Sequence, residues 1–302
     1  MSKAQIITLS DDDFQMLMYI WKWKVVTTTV LFERFAKEFS CGPEAIFKKL
    51  SRLKSNHYIK QVPVVKPRGL AWSIHTKGFS TLKEFLPELK ADGFKSENPS
   101  HDLNVMAAHT SILERLSDVF ENLAFYTEQE IRSVHDGCHP TWVPQNFSHH
   151  PDGYWAFNTN QGVFVIALET ELSKKSSQRY AEILSLYNVK DEINSVLWVV
   201  EQESLARFIM KQDRCYNNES KKKQNFVILS DLLQNGVDAK CFAGTKAGQK
   251  LSEFLIPENF PYPFRKASLS GTCTHLHPAM NCKLHITNST TYNNLRKGPD
   301  RD

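Results

Sequence analysis

The sequence predicts an α+β protein of two domains, in which a small helical domain ending in a β-hairpin precedes a mixed α/β sandwich. Its 302 residues suffice for two domains, and 41% hydrophobic with 23% charged residues is typical of chains that bury a core. Apolar residues recur at helical spacing in the first third, whereas short apolar strands alternate with helices in the middle. We therefore place the domains at residues 1–92 and 103–250, joined by a polar linker and followed by an irregular, flexible tail at residues 251–302.

Basic residues concentrate in the first domain. Residues 1–90 hold 15 Lys and Arg against 8 Asp and Glu, a balance of +7, whereas the remaining residues hold 22 against 25, a balance of −3. A basic segment of this kind favours a polyanionic partner such as nucleic acid.

Several classes of protein are disfavoured by the sequence. The longest apolar runs, residues 163–168 and 196–200, are too short to cross a bilayer, and the N-terminus lacks the apolar core of a signal peptide. Six cysteines without regular spacing argue against a disulfide framework. We therefore expect a cytoplasmic protein with no membrane partner.

The first domain is predicted to contain three helices. Asp11–Asp13 supply acidic residues for the start of the first, Thr27–Thr29 cap the second, and Pro43 suits the first position of the third. In the third helix, apolar spacing predicts that four residues face the core: Ile46, Phe47, Leu50 and Leu53. The opposite face is polar and largely basic, and comprises Lys48, Ser51, Arg52 and Ser55, with Lys49 on its flank.

The hairpin that follows, YIKQVPVVKPRGLAWSIHT, has a basic turn containing Lys66 and Arg68. Three helices followed by a basic hairpin are the order of a winged helix-turn-helix, in which the third helix enters the major groove of DNA and the hairpin touches phosphates or the minor groove. The sequence therefore predicts contact with double-stranded DNA through Lys48, Lys49, Ser51, Arg52, Ser55, Lys66 and Arg68. The alternatives are a solvated helix face, an ordinary hairpin turn, and a winged helix that binds protein.

The second domain is predicted to run helix, three strands, helix, strand, helix, strand, with the eighth element at residues 226–229 and a further strand at residues 239–243. LNVMAAHTSILERLSDVFENL is its first helix, and AFYTEQEIRSV its first strand, which places Glu128 and Glu130 on one face. The long loop at residues 135–151 suggests a lid or binding loop. Its histidines, at positions 139, 149 and 150, are candidates for metal binding, although most histidines in such loops are polar surface.

Acidic residues gather on the hairpin PDGYWAFNTNQGVFVIALETELSKK. Glu169 and Glu171 project on the same side of the second strand, and Asp152 lies on the neighbouring strand. Three acids near a strand end can hold a hard divalent cation, Mg²⁺ or Mn²⁺, through oxygen ligands. A lysine nearby, Lys174 or Lys175, can stabilise the charge of a phosphate in transfer. The alternative is an ordinary hairpin with exposed acids.

The order Pro-Asp, hairpin, Glu-x-Glu, Lys resembles the PD-(D/E)xK nuclease superfamily, which has the restriction-endonuclease-like fold. The resemblance implies a catalytic set of Asp152, Glu169, Glu171 and Lys174, with the three acids as metal ligands. Position 171 departs from the pattern, because it holds glutamate where the family usually has lysine. Some members of the superfamily carry that lysine on the following helix, where Lys174 and Lys175 lie.

Over roughly residues 10–230 the chain also resembles the replication-relaxation family of plasmids and mobile elements. The motifs that carry this likeness are WSIHTKGF, HDLNVMAAH and ALETELSKKSSQRYAEIL. The resemblance implies a role in replication, DNA relaxation or mobilisation, or transcriptional control of such an element. Its implied partners are DNA, a second copy of the chain, and a relaxase or replication protein.

Two functions of different class stay open from the sequence. One is a DNA-binding protein on a nuclease-like scaffold, and the other is a metal-dependent endonuclease or nickase directed by the winged helix. In the tail, Cys273, His275, His277, Cys282 and His285 could bind zinc, but their spacing matches no paired scheme, and we expect an irregular tail.

Overall fold

The computed structural model describes residues 8–64, 70–91, 95–116, 123–145, 148–159, 162–213 and 223–255. Lys66 and Arg68 lie outside the described residues, as does the group of cysteines and histidines between positions 273 and 285. The predictions made for those positions therefore remain predictions.

The first domain is a winged helix-turn-helix. Its helices are α1 (Asp11–Trp23), α2 (Thr28–Glu38), α3 (Pro43–Ser55) and α4 (Thr76–Leu82). Its strands are β1 (Val26–Thr27), β2 (Ile59–Val62) and β3 (Ala71–Ile74), which form an antiparallel sheet in the order β1-β3-β2. The first helix starts with a capping box, since Ser10 and Asp13 each bond the other's backbone amide.

The predicted core face of α3 is confirmed at three of its four positions, because Ile46, Leu50 and Leu53 are buried. The prediction for Phe47 is wrong, since 49% of this residue is exposed. Phe47 lies next to Lys48 at the edge of the apolar stripe, where it is left outside the core.

The helix that joins the domains, α5 (Pro99–Leu116), begins four residues earlier than the sequence predicted. Asn98 caps it, since its side chain accepts from the amide of His101 at 3.2 Å, and Pro99 occupies the first helical position. This extra turn brings His101 and Asp102 out of the predicted linker and onto a helix.

The second domain is a six-stranded mixed sheet in the order β4-β5-β6-β7-β8-β9. The strands are β4 (Ala124–Thr127), β5 (Gly153–Thr159), β6 (Gly162–Glu171), β7 (Ser195–Val200), β8 (Gln224–Ile228) and β9 (Ala243–Gly244). Strands β6, β7 and β8 are parallel, and the remaining pairs are antiparallel. The predicted mixed α/β fold is therefore confirmed, with its last strand shifted to residues 243–244.

Helices cover both faces of this sheet. On one face, α7 (Ser177–Val189) and α8 (Glu203–Met210) pack against Ala167 and Trp198. On the other, α5, α9 (Leu229–Asn235) and α10 (Leu251–Leu255) pack against Leu168 and Leu197. Residues of odd number on β6 consequently face α7, which fixes the surroundings of Glu169 and Glu171.

Only the first part of the first strand predicted for this domain is a strand in the structure. Strand β4 ends at Thr127, and α6 (Glu128–Ser133) follows where the sequence predicted continued extension. Thr127 and Glu130 form a capping box that starts the helix. Glu128 and Glu130 are therefore helical, and Glu130 is occupied by this cap and by Lys22 at 2.6 Å.

The two domains share one hydrophobic core. Trp23 at the end of α1 stacks on Phe125 of β4 at 5.3 Å between ring centroids, and it also contacts His109 of α5. Within the described part of the chain, none of the helices has the length and apolar character to cross a membrane.

Candidate functional site

The predicted carboxylates lie at the end of the β5–β6 hairpin. Gly153 pairs with Leu168, so that Asp152, which directly precedes β5, lies beside the Glu169 end of β6. Glu169 and Glu171 are 4% and 2% exposed and point between the strands and α7. Buried carboxylates need partners, and the partners differ at each of the three.

Asp152 is held by a histidine and by the backbone of β6. One oxygen lies 3.2 Å from His101 Nε2, and the other accepts from the amide of Thr170 at 2.6 Å. Burial alone would raise the pKa of this carboxyl, but these two hydrogen bonds and the His101 charge outweigh it, so the pKa is lowered. Burial disfavours the charged imidazole, yet Asp152 raises the pKa of His101.

Glu169 is held by His149 and Tyr187. His149 Nε2 lies 2.6 Å from the carboxylate, and the Tyr187 hydroxyl donates to the same oxygen. Burial opposes protonation of His149, but the Glu169 charge raises its pKa. Burial together with that carboxylate raises the pKa of Tyr187 well above its ordinary value, so the phenol stays a donor.

Glu171 is paired with Lys175, whose ammonium contacts one carboxylate oxygen, and Tyr180 donates to the other oxygen at 3.3 Å. Burial raises the pKa of this carboxyl, and Lys175 offsets that only in part. The predicted lysine, Lys174, lies instead over the Phe208 ring, 3.7 Å from its centroid, and its catalytic role stays a prediction. Lys175 is the residue that supplies the cation at the acidic cluster.

The donor chemistry of Asp152 and Glu169 fits a hard divalent cation, since carboxylate oxygens are the ligands that Mg²⁺ and Mn²⁺ prefer. The three predicted ligands do not form one close cluster, however. Among the residues that the structure describes, three ligand atoms within 4.8 Å of one another occur at Glu88, His135 and Cys138 instead. Each of the three carboxylates is instead bonded to partners of its own.

The winged helix contributes a further cation beside this site. Lys24, at the end of α1, is 8% exposed and bonds Asp102 at 2.7 Å and Glu128 at 2.6 Å. It lines a cavity of about 10 Å³, roughly the space of one water molecule, together with Asp102 and Asp152. The Lys24 charge helps to lower the pKa of Asp152. The first domain and the carboxylates are therefore electrostatically connected.

The predicted DNA-binding face of α3 divides into two groups. Lys48 and Ser55 are exposed, whereas Ser51 is half-buried. Lys49 instead pairs with Asp12 at 2.9 Å, and Arg52 with Asp13 at 2.5 Å. Contact between these residues and DNA stays a prediction, but the last two already hold α3 against α1.

No sequence pattern singled out His101, and His149 was one of three candidate histidines in a loop. His101 is the first residue of the motif HDLNVMAAH and follows Asn98-Pro99-Ser100. Asn and Pro are typical of a helix start, so these residues could have predicted that His101 lies on a helix rather than in the linker. His149 stands three residues before Asp152. Nothing in its local sequence distinguishes it from His139, whose Nδ1 lies 3.0 Å from the Tyr126 hydroxyl, or from His150.

Comparisons with known proteins place few constraints on the chain. No family model matches it, and no curated protein matches it, so membership of the replication-relaxation family stays a prediction. A solved structure of the restriction endonuclease FokI matches 76% of this chain and 46% of its own, with 10% identity and a TM-score of 0.25. The chain spans less than half the length of that protein, and a likeness of this size carries no argument about function.

Proposed function

We propose that the protein binds double-stranded DNA through its winged helix and carries a nuclease-like carboxylate site on its second domain. The observation that supports binding is the topology of the first domain together with the outer face of α3, where Phe47, Lys48 and Ser55 are exposed. Side chains that protrude from the third helix of such a domain are placed to enter a major groove.

The DNA-binding proposal is tested with Lys48→Ala, because Lys48 is exposed and its loss should leave the fold intact. Lys240→Ala, which removes an exposed lysine from the second domain, is the matched control. We expect Lys48→Ala to weaken binding to a duplex several-fold and to reduce the slope of log K against log salt by about 1. Fluorescence anisotropy over a salt series measures the affinity and the salt slope. If Lys48→Ala, Lys240→Ala and the wild type bind the duplex equally well, α3 does not contact DNA.

A second function, metal-dependent cleavage of DNA, is favoured by the pairing of Lys175 with Glu171 beside Asp152 and Glu169. Asp152 and Glu169 would hold Mg²⁺ or Mn²⁺, which supplies an activated water and neutralises charge on the phosphate. His101 and His149 orient the two carboxylates, and the Lys175 ammonium adds positive charge where the phosphate charge develops.

Cleavage is tested by incubating purified protein with supercoiled plasmid in Mg²⁺, Mn²⁺ or EDTA. For an enzyme we expect metal-dependent nicking that disappears in Asp152→Ala/Glu169→Ala and falls at least about 100-fold in Lys175→Met. Lys174→Met is the matched control and should nick normally, since Lys174 packs on Phe208. Intact plasmid that is still shifted in a gel would identify a binding protein on a nuclease-like scaffold.

The biological setting that we propose is the replication, relaxation or mobilisation, or transcriptional control, of a plasmid or mobile element. It is supported by the motifs at residues 101–109 and 169–176. A homodimer and a complex with a relaxase or replication protein belong to the same proposal. Light scattering of the protein with and without duplex DNA measures the first of these directly.

A further inference from the structure

Three side chains that can each bind a metal ion lie close together on the protein surface. In the sequence they are well separated from the carboxylates of β6. The carboxylate of Glu88, the imidazole of His135 and the thiol of Cys138 have ligand atoms that all lie within 4.8 Å of one another. All three residues are exposed, and neither the DNA-binding nor the cleavage proposal uses them. The group is therefore a separate candidate for ligand binding.

The backbone holds this group together across the domain boundary. Leu89 and Val134 form an antiparallel bridge, and the His135 amide donates to the Glu88 carbonyl at 2.7 Å. A single 3-10 turn at Asp136–Cys138 follows, in which the Cys138 amide donates to the His135 carbonyl at 2.8 Å. The three donors are thus brought together by hydrogen bonds between two chain segments.

Two polar side chains beside the group already have other partners, so the candidate ligands are limited to Glu88, His135 and Cys138. Asp136 pairs with Lys90 at 2.6 Å, and His139 Nδ1 lies 3.0 Å from the Tyr126 hydroxyl. The His135 ring accepts from the Gly137 amide at 3.3 Å, a long hydrogen bond that a metal ion can displace at small cost.

We propose that Glu88, His135 and Cys138 form a zinc site. Zinc accepts sulfur, nitrogen and carboxylate oxygen as tetrahedral ligands, and with three protein ligands it keeps a fourth position for water. A thiolate and an imidazole select zinc over Mg²⁺ and Mn²⁺, which prefer oxygen. The site therefore differs in metal preference from the carboxylates of β6, and it links the end of the first domain to the start of the long loop at residues 135–151.

The site is tested by titrating the full chain, stripped with EDTA, with Co²⁺ as a spectroscopic substitute for Zn²⁺. We expect one equivalent to produce thiolate-to-cobalt charge-transfer absorption and tetrahedral d–d bands, which Zn²⁺ then removes. Cys138→Ser should lose the charge-transfer band, and Glu88→Gln and His135→Ala should weaken cobalt binding by at least about 10-fold. Circular dichroism checks that these surface variants fold.

Two control variants separate this site from others in the chain. Cys273→Ser/Cys282→Ser removes the thiols of the tail, and Asp152→Asn changes the predicted nuclease-like site; both should retain the charge-transfer band. A band that survives in Cys138→Ser, a band lost in the tail variant, or no cobalt binding by the wild type would overturn the proposal. None of these outcomes depends on whether the protein binds or cleaves DNA.

Discussion

At the residue scale, the side chains that organise the site are those whose partners come from distant parts of the sequence. Asp152, Glu169 and Glu171 could be predicted as one group from their order along a single hairpin. From the residues alone either Lys174 or Lys175 could serve, because both follow the strand in an irregular segment before α7, and the family resemblance implied Lys174. The structure distinguishes the two lysines, because Lys174 packs on Phe208 and Lys175 contacts Glu171.

A residue-scale prediction concerns Asp13, which is fully buried and binds both Ser10 and Arg52. Burial would raise its pKa, but the Ser10 and Arg52 hydrogen bonds outweigh that and lower it below the usual 3.8. We expect Asp13→Asn to reduce the free energy of unfolding by about 2 kcal/mol near neutral pH, because the ion pair with Arg52 is lost and the capping box keeps only an uncharged acceptor.

The pH dependence of that loss follows from the lowered pKa. A carboxyl with a depressed folded-state pKa stabilises the fold above its unfolded pKa, and the stabilisation disappears as pH falls through the folded value. The difference in unfolding free energy between wild type and Asp13→Asn should therefore be constant above about pH 5 and shrink below about pH 4. Urea denaturation at several pH values measures it, and Asp11→Asn, at an exposed position of the same helix, is the matched control. A difference that grows on acidification would contradict the assignment.

At the element scale, local capping signals decided two boundaries that apolar patterning placed wrongly. Residues 128–133 continue an alternating pattern from β4, and a six-residue helix is too short for helical spacing to show. The box Thr127-x-x-Glu130 marks the change from strand to helix. Asn98-Pro99 likewise marks the start of α5 within a stretch whose composition suggested a linker.

An element-scale prediction tests the cap of α6. Thr127→Ala removes the hydroxyl that accepts from the Glu130 amide, in a buried position. We expect a loss of about 1 kcal/mol in unfolding free energy, whereas Thr127→Ser, which keeps the hydroxyl, should lose less. Chemical denaturation compares the three proteins, and equal loss in both variants would mean that the methyl group, rather than the cap, is responsible.

At the scale of the whole molecule, the winged helix and the second domain behave as a single packed body. Trp23 stacks on Phe125, and the buried Lys24 joins Asp102 and Glu128 of the second domain. Interfaces that bury charge in this way resist separation, because loss of one partner leaves the others unpaired in an apolar setting.

The corresponding prediction is that the protein unfolds in one transition and that Lys24→Met destabilises it by about 3 kcal/mol. Arg132→Ala is the control, because Arg132 pairs with the same Glu128 at the surface and should cost under about 1 kcal/mol. Differential scanning calorimetry measures both, and separate transitions for the two domains in the wild type would contradict the shared core.

The sequence by itself determined the winged-helix order, the mixed α/β sheet and the three acids of the β5–β6 hairpin. These follow from local spacing, capping residues and strand alternation, which are properties of neighbouring residues. Only the tertiary structure decided that His101 binds Asp152, that Lys175 binds Glu171, that Arg52 is held by Asp13, and that Glu88 meets His135 and Cys138. Apart from the Lys175 pair, these contacts join residues far apart in the chain, and their geometry depends on how helices pack on the sheet, which no local pattern encodes. Lys175 depends on the turn before α7, where two adjacent lysines are equivalent until the fold gives each a different neighbour.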